Sequence, residues 1–186
     1  MIQEITAIIL AGGKSSRMGF DKGLAEIHSV KIIEQVLSIV KKITKNIIII
    51  SNNSSYDFLG LPVYEDLIKD CGPIGGIYTG LNYSKTDYNL IVACDMPFVK
   101  ESVVNRLLDD NNDYDIIVPL VKNNLEPLCA FYNKRVMTFF KKQIDDKEYS
   151  VHKAIEQLRY KPIVLNADEL SFTNINTPND LDKFNK

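Results

Sequence analysis

The chain has 186 residues, 45% of them hydrophobic and 25% charged, with a formal net charge of -2. That length suits one domain with a sizeable core, and the near-neutral balance gives no reason to expect a nucleic-acid or membrane partner. No apolar run approaches the ~20 residues of a membrane span, and the N-terminus lacks a signal-peptide layout. The three cysteines, Cys71, Cys94 and Cys129, form no C-x-x-C, and the two histidines, His28 and His152, stand in unrelated contexts. This usage fits a reducing cytoplasm and argues against a disulfide framework, zinc chemistry or a His-centred triad.

In chain order, Ile5 to Leu10 is an apolar, β-branched run that reads as a buried strand. It leads into Leu10-Ala-Gly-Gly-Lys-Ser-Ser-Arg-Met-Gly-Phe-Asp-Lys22. Gly12 and Gly13 let the backbone turn sharply and approach a ligand closely. Successive N–H groups in such a turn form a concavity that suits phosphate oxygens, and Lys14, Arg17 and Lys22 add cations around it. The P-loop pattern fails, because the position of its first glycine is Ile8. The dinucleotide pattern G-x-G-x-x-G fails too, since the glycines stand at 12, 13, 19 and 23.

Ile32 to Ile43 repeats apolar residues at helical spacing, and Ile47–Ile50 reads as a strand covered on both faces. A polar loop, Ser51 to Ser55, follows, and 62–66 reads as a short strand or extended piece. The glycine-rich stretch Lys69 to Gly76 precedes a helix expected from Ile77 to about Tyr83. Tyr88–Cys94 is another strand, and Pro97 places Asp95 at its exit. Further on, helices are expected over 101–108, 135–144 and 151–158, with strands over 116–121, 128–132 and 163–165. Pro178, with Thr177 as cap, opens a last short helix.

This alternation predicts one α/β domain over 1–186, a three-layer, Rossmann-like, mostly parallel sheet with helices on both faces. Ligands of such sheets bind beyond the carboxyl ends of the strands. The Leu10–Lys22 loop, Ser51–Asn53, Gly72–Gly76 and Asp95 all fall there. A carboxylate at a strand exit, facing a phosphate loop, suits Mg²⁺, so Asp95 is the candidate metal ligand. Asp66 and Asp70 flank the second glycine stretch, where either could accept from a base or sugar.

The first motif resembles the L-A-G-G-x-S-x-R-M-G-x-D-K signature of nucleotidyltransferases that activate cofactors and sugars. With Glu65-Asp66, Cys71-Gly-Pro-Ile-Gly-Gly-Ile77, Ala93-Cys-Asp-Met-Pro97 and Asn174-Ile-Asn-Thr-Pro178, the chain resembles the molybdenum cofactor guanylyltransferases over almost its whole length. The G-P-[IL]-x-G stretch leans towards these enzymes over their cytidylyl relatives. Glu126 to Tyr132 resembles a segment lining the acceptor site.

The resemblance implies that GTP and molybdopterin, or its molybdenum-loaded form, are the substrates and Mg²⁺ the cofactor. It also implies transient contacts with cofactor-biosynthesis or molybdoenzyme-maturation proteins. Leu10, Ala11, Gly12 and Gly13 would meet the nucleotide, Lys22 and Arg17 would offset phosphate charge, and Asp66 would contact the guanosine side. Asp95 would hold Mg²⁺ and nucleotide, and Asn176 would approach the metal or the acceptor phosphate. Ser51 is assigned to the nucleotide, with Asn52 and Asn53 as alternatives for that contact. Open beside this reading stand CMP transfer, nucleotide transfer to a sugar or isoprenoid phosphate, and a non-catalytic nucleotide-binding module. A phosphatase-like use of Asp95 as nucleophile fits poorly, because Asp95-Met-Pro97 lacks D-x-D.

Overall fold

The computed structural model describes residues 4–12, 21–108 and 113–185. The elements run β1 (Ile5–Leu10), β2 (Glu26–Ile27), β3 (Val30–Lys31), α1 (Ile32–Ile43), β4 (Asn46–Ile50) and β5 (Val63–Tyr64). Then come α2 (Pro73–Tyr83), β6 (Tyr88–Ala93), α3 (Glu101–Leu108), β7 (Ile116–Val121), β8 (Asn124–Leu125) and β9 (Cys129–Asn133). The chain ends with α4 (Met137–Asp145), α5 (Val151–Ile155), β10 (Tyr160–Val164) and α6 (Pro178–Phe184).

Strand periodicity explains the three layers. Ile5, Ala7 and Ile9 of β1 enter a core with Ile33, Val36 and Val40 of α1 and Val103, Val104 and Leu107 of α3. Ile8 and Leu10 enter a second core with Ile74, Ile77 and Leu81 of α2 and Phe140 and Ile144 of α4. Both faces of β1 are therefore covered, which is why its sequence is apolar throughout instead of alternating. The sheet order is β10-β7-β9-β6-β1-β4-β5, with β8 paired to β7. β6, β1, β4 and β5 are parallel, as are β7 and β10, and β9 runs antiparallel between β6 and β7.

The chain leaves β1 for β4 on one side and later returns to β6 on the other. Right-handed crossovers in opposite directions put α1 and α2 on opposite faces and open a crevice at the carboxyl end of β1. The packing of α2 on β1 is close. A Cβ on Gly80 would fall inside the van der Waals shell of Cγ2 of Ile8 and stand 3.0 Å from its Cδ1. Gly80→Ala is therefore expected to destabilise the fold by about 1–3 kcal/mol, the range for overpacking, despite alanine's better helix propensity. Thermal unfolding checks this, and an unchanged or higher Tm would contradict it.

Several boundaries differ from the sequence expectation. α2 begins at Pro73, not Ile77, so Gly75 and Gly76 are helical residues and not loop. Gly72 caps it with φ +64°, a conformation open to glycine, and Pro73 sits at its first turn, where no N–H is needed. The 135–144 helix opens as a 3-10 turn over Lys134–Val136 before α4. α5 stops at Ile155, three residues short of the expected Leu158. β10 begins earlier than expected, at Tyr160, and Pro162 is accommodated because β10 is an edge strand. The β2–β3 ribbon and the 3-10 segments Ser54–Leu59 and Asn166–Phe172 had no periodic signal to announce them. Thr177 does cap α6, its hydroxyl accepting from the Asp180 N–H at 3.2 Å while the Asp180 carboxylate accepts from the Thr177 N–H at 3.0 Å.

Candidate active site

At the carboxyl ends of β1, β4 and β6 lies a cleft of about 830 Å³. Leu10, Ala11 and Gly12 line its floor, with Ser51 and Asn52 beyond β4, Asp66 beyond β5 and Asp95 beyond β6. The strand ends are tied together there, as the Ala11 N–H donates to the Ile50 carbonyl at 2.9 Å and the Cys94 N–H to that of Leu10 at 3.0 Å. Among the described residues, a Cβ on Gly12 would meet the Ile50 carbonyl oxygen alone, at 3.9 Å. Gly13, Lys14 and Arg17 lie outside the described residues.

One end of the cleft is built around Lys22. Its ammonium donates to Oδ1 of Asn176 at 2.6 Å and lies 3.5 Å from Oδ2 of Asp95. Asn176 arrives from the far end of the chain because the Ile175 N–H donates to the Asp95 carbonyl at 3.0 Å. The Ile175 side chain is anchored among Ala25, Ile27 and Ile32. Burial pushes the Asp95 carboxyl up, against the opposing pull of Lys22. Three sequence-predicted residues, 73 and 154 positions apart from Lys22 to its partners, thus meet at one point.

The other end is built around Asp66. Asn52 clamps it twice, donating from Nδ2 to Oδ2 at 2.8 Å and accepting from the Asp66 N–H at 3.0 Å. Oδ1 of Asp66 is buried with no hydrogen-bond partner among the described residues, and burial raises this carboxyl too. The start of α2, at Gly72, Pro73 and Gly76, closes this side, and the positive end of the helix dipole there favours negative charge. Ser51 lines the cleft as well. It is 2% exposed, its hydroxyl donating to the Ala11 carbonyl at 3.0 Å and accepting from the Asn53 N–H at 3.1 Å. Its side chain holds the loop, and Asn52 is the neighbour presented to the Asp66 end.

Asp21 also lines the cleft, a placement the sequence reading did not assign. Its only sequence signal was its position before Lys22 in the first motif.

No group of three or more His, Cys, Asp or Glu side chains that could hold a metal occurs among the described residues. One carboxylate and one amide oxygen converging on a cation nevertheless fit Mg²⁺, which takes few protein ligands and fills its octahedron with phosphate oxygens and water. The Lys22 ammonium already shows that Asp95 and Asn176 are spaced to share a positive charge.

Comparison with known proteins shows the family to which this chain belongs. Residues 7–161 match the model of the MobA-like NTP transferase domain. A Clostridium perfringens protein named "Probable molybdenum cofactor guanylyltransferase" is 36% identical, covering 92% of this chain and 91% of its own. A protein of the same name from Carboxydothermus hydrogenoformans is 33% identical over 100% of this chain and 97% of its own. The crystal structure of molybdopterin-guanine dinucleotide biosynthesis protein A from Archaeoglobus fulgidus superposes with a TM-score of 0.83 at 24% identity, covering 97% and 96% of the two chains, and shares the fold. The chain is a member of the MobA-like NTP transferase family.

Proposed function

We propose that this chain transfers GMP from GTP to the terminal phosphate of molybdopterin, or of its molybdenum-loaded form, with Mg²⁺. The observation that supports it most is the convergence of Lys22, Asp95 and Asn176 at one end of a cleft whose other end holds Asp66. The cleft thus offers cation and metal-ligand chemistry for phosphates and a fixed acceptor for a base. Asp66 lines the cleft as a carboxylate, and guanine offers adjacent N–H groups where cytosine's Watson–Crick edge offers one amine. The relatives' names support the same choice of nucleotide.

In the reaction an oxygen of the acceptor phosphate bonds to the α-phosphorus of GTP. The bond from that phosphorus to the β-phosphate oxygen breaks, and pyrophosphate leaves. Both reactants are anions, so the protein must hold them in line and offset their repulsion. Lys22 places positive charge against the α-phosphate and the departing pyrophosphate, and the resemblance assigns the same role to Arg17. Asp95, with Asn176 beside it, would hold Mg²⁺, which when bound polarises the phosphates and screens their charge. No general base is needed, because a phosphate monoester is largely ionised at neutral pH. Among the described residues no helix is long and apolar enough to cross a membrane, and the three cysteines are free and buried, which supports a site of action in the reducing cytoplasm.

Thermal unfolding with GTP, ATP, CTP and UTP, each with and without Mg²⁺, tests the reading. A ligand at about ten times its Kd stabilises a fold by roughly 1.4 kcal/mol. For a chain of this length that is a rise of roughly 3–6 °C. The expected result is a shift confined to GTP with Mg²⁺. A shift with CTP instead would keep the reaction class and overturn the product.

A further inference from the structure

Lys22 and Asp95 must stand at a set separation, yet neither sits firmly inside an element. Lys22 opens a three-residue 3-10 turn, Lys22–Leu24, and Asp95 lies past the end of β6. Behind both runs one ring. Tyr56, from the 3-10 segment Ser54–Leu59, is 0% exposed, and its hydroxyl donates to Oδ1 of Asp21, the residue before Lys22. The ring also fills the space beside Gly23, the residue after Lys22. A Cβ there would stand 2.5 Å from the Tyr56 hydroxyl and 3.3 Å from Sγ of Cys94, the residue before Asp95. Tyr56 and Cys94 thus face the same small space and belong to one buried core.

Asp21 is held from two further directions. It accepts from the Gly23 N–H at 3.1 Å and from Nδ2 of Asn53 at 3.2 Å. Asn53 in turn caps the segment that carries Tyr56, accepting from the Ser55 N–H at 2.9 Å. Burial pushes the phenol well above its ordinary value, helped by Cys94 and Asp21, so the hydroxyl stays protonated and keeps donating. Any buried tyrosine hydroxyl needs a partner, and what sets this one apart is that its partner is the chain neighbour of Lys22. Here one ring touches both chain neighbours of Lys22 and the chain neighbour of Asp95.

We propose that Tyr56 is a positioning residue of the reaction, setting through Asp21, Gly23 and Cys94 where Lys22 stands against Asp95. The kinetic consequence rests on the reading of Lys22 and Asp95 as phosphate and metal groups; the placement of Lys22 does not. Tyr56→Phe keeps the ring and removes the hydroxyl. It is expected to lower kcat about 10-fold or more while the KM for GTP stays within about threefold, because misplacement by a fraction of an ångström is felt in the transition state. Adding Asp21→Ala to it should cost little beyond the larger single effect, since both remove the same bond. A lowered Tm with kcat per folded molecule unchanged would reduce Tyr56 to a packing residue and overturn the proposal.

A second readout needs no substrate. In ¹³C relaxation of the Lys22 side chain, Tyr56→Phe is expected to show larger-amplitude motion than the parent protein, and equal motion would overturn the proposal. Where Tyr56→Phe does not fold, Asp21→Ala breaks the same bond from the cleft side and carries the same expectations. If the parent protein does not consume GTP with molybdopterin yet Lys22 loosens on substitution, the proposed function fails and the positioning role stands.

Discussion

Asp95→Asn is expected to abolish guanylyl transfer, by about 10³-fold or more, with the fold intact. The substitution keeps the shape of the side chain and removes the carboxylate that faces the Lys22 ammonium. A bound divalent ion supplies several kcal/mol of charge stabilisation in such transition states, and each 1.36 kcal/mol is a factor of ten. The stability cost is small for two reasons. The Lys22–Asp95 pair is partly open to solvent, with side chains 23% and 18% exposed, and such pairs contribute about 0–1 kcal/mol. Burial also already disfavours the Asp95 charge, so a neutral isostere relieves a desolvation cost. Single-turnover pyrophosphate release, with Tm measured beside it, checks both halves. A variant that keeps near-normal turnover would sink the metal role.

Lys22→Ala is expected to act in two opposite directions. Turnover should fall about 10²-fold or more, the scale for losing one preorganised charge-stabilising donor. Binding of Mn²⁺, used as a probe for Mg²⁺ in the absence of nucleotide, should instead tighten. The ammonium now lies between Oδ1 of Asn176 and Oδ2 of Asp95, so it competes with a divalent ion for the same oxygens. In the parent protein the nucleotide phosphates would draw Lys22 away, which makes metal binding depend on nucleotide. Mn²⁺ titration followed by electron paramagnetic resonance, on parent and variant, measures this directly. Equal or weaker Mn²⁺ binding by the variant would show that Lys22 does not occupy the metal position.

Much of the molecule was legible in its residues, for definite reasons. The β-branched run of β1, the apolar face of α1, the run of β6 and the Thr177–Pro178 cap are local patterns whose physics is complete within a few residues. The placement of Gly12 and Asp95 at the cleft was legible because each directly follows a recognisable apolar strand, whose carboxyl end faces the crevice. The start of α2 was misread since Gly75 and Gly76 have poor helix propensity. Their packing against Ile68, Cys71 and Leu10 requires small residues and outweighs it. The bond of the Ser51 hydroxyl was not legible because a hydroxyl in a loop carries no sign of its partner; the Ala11 carbonyl that takes it is 40 residues away.

Sequence alone therefore determined the alternation of strands and helices, the glycine-rich motif after β1 and the chemical class of the groups around it. These depend on neighbours along the chain and on intrinsic chemistry. The tertiary structure decided which oxygen shares the Lys22 charge, that Asn52 clamps Asp66 while Ser51 holds the loop, and that Tyr56 stands behind Lys22 and Asp95 at once. Such pairings join residues tens to over a hundred positions apart. They are set by the register of β4 and β6 on β1 and by the tie between Ile175 and Asp95, which no local pattern encodes.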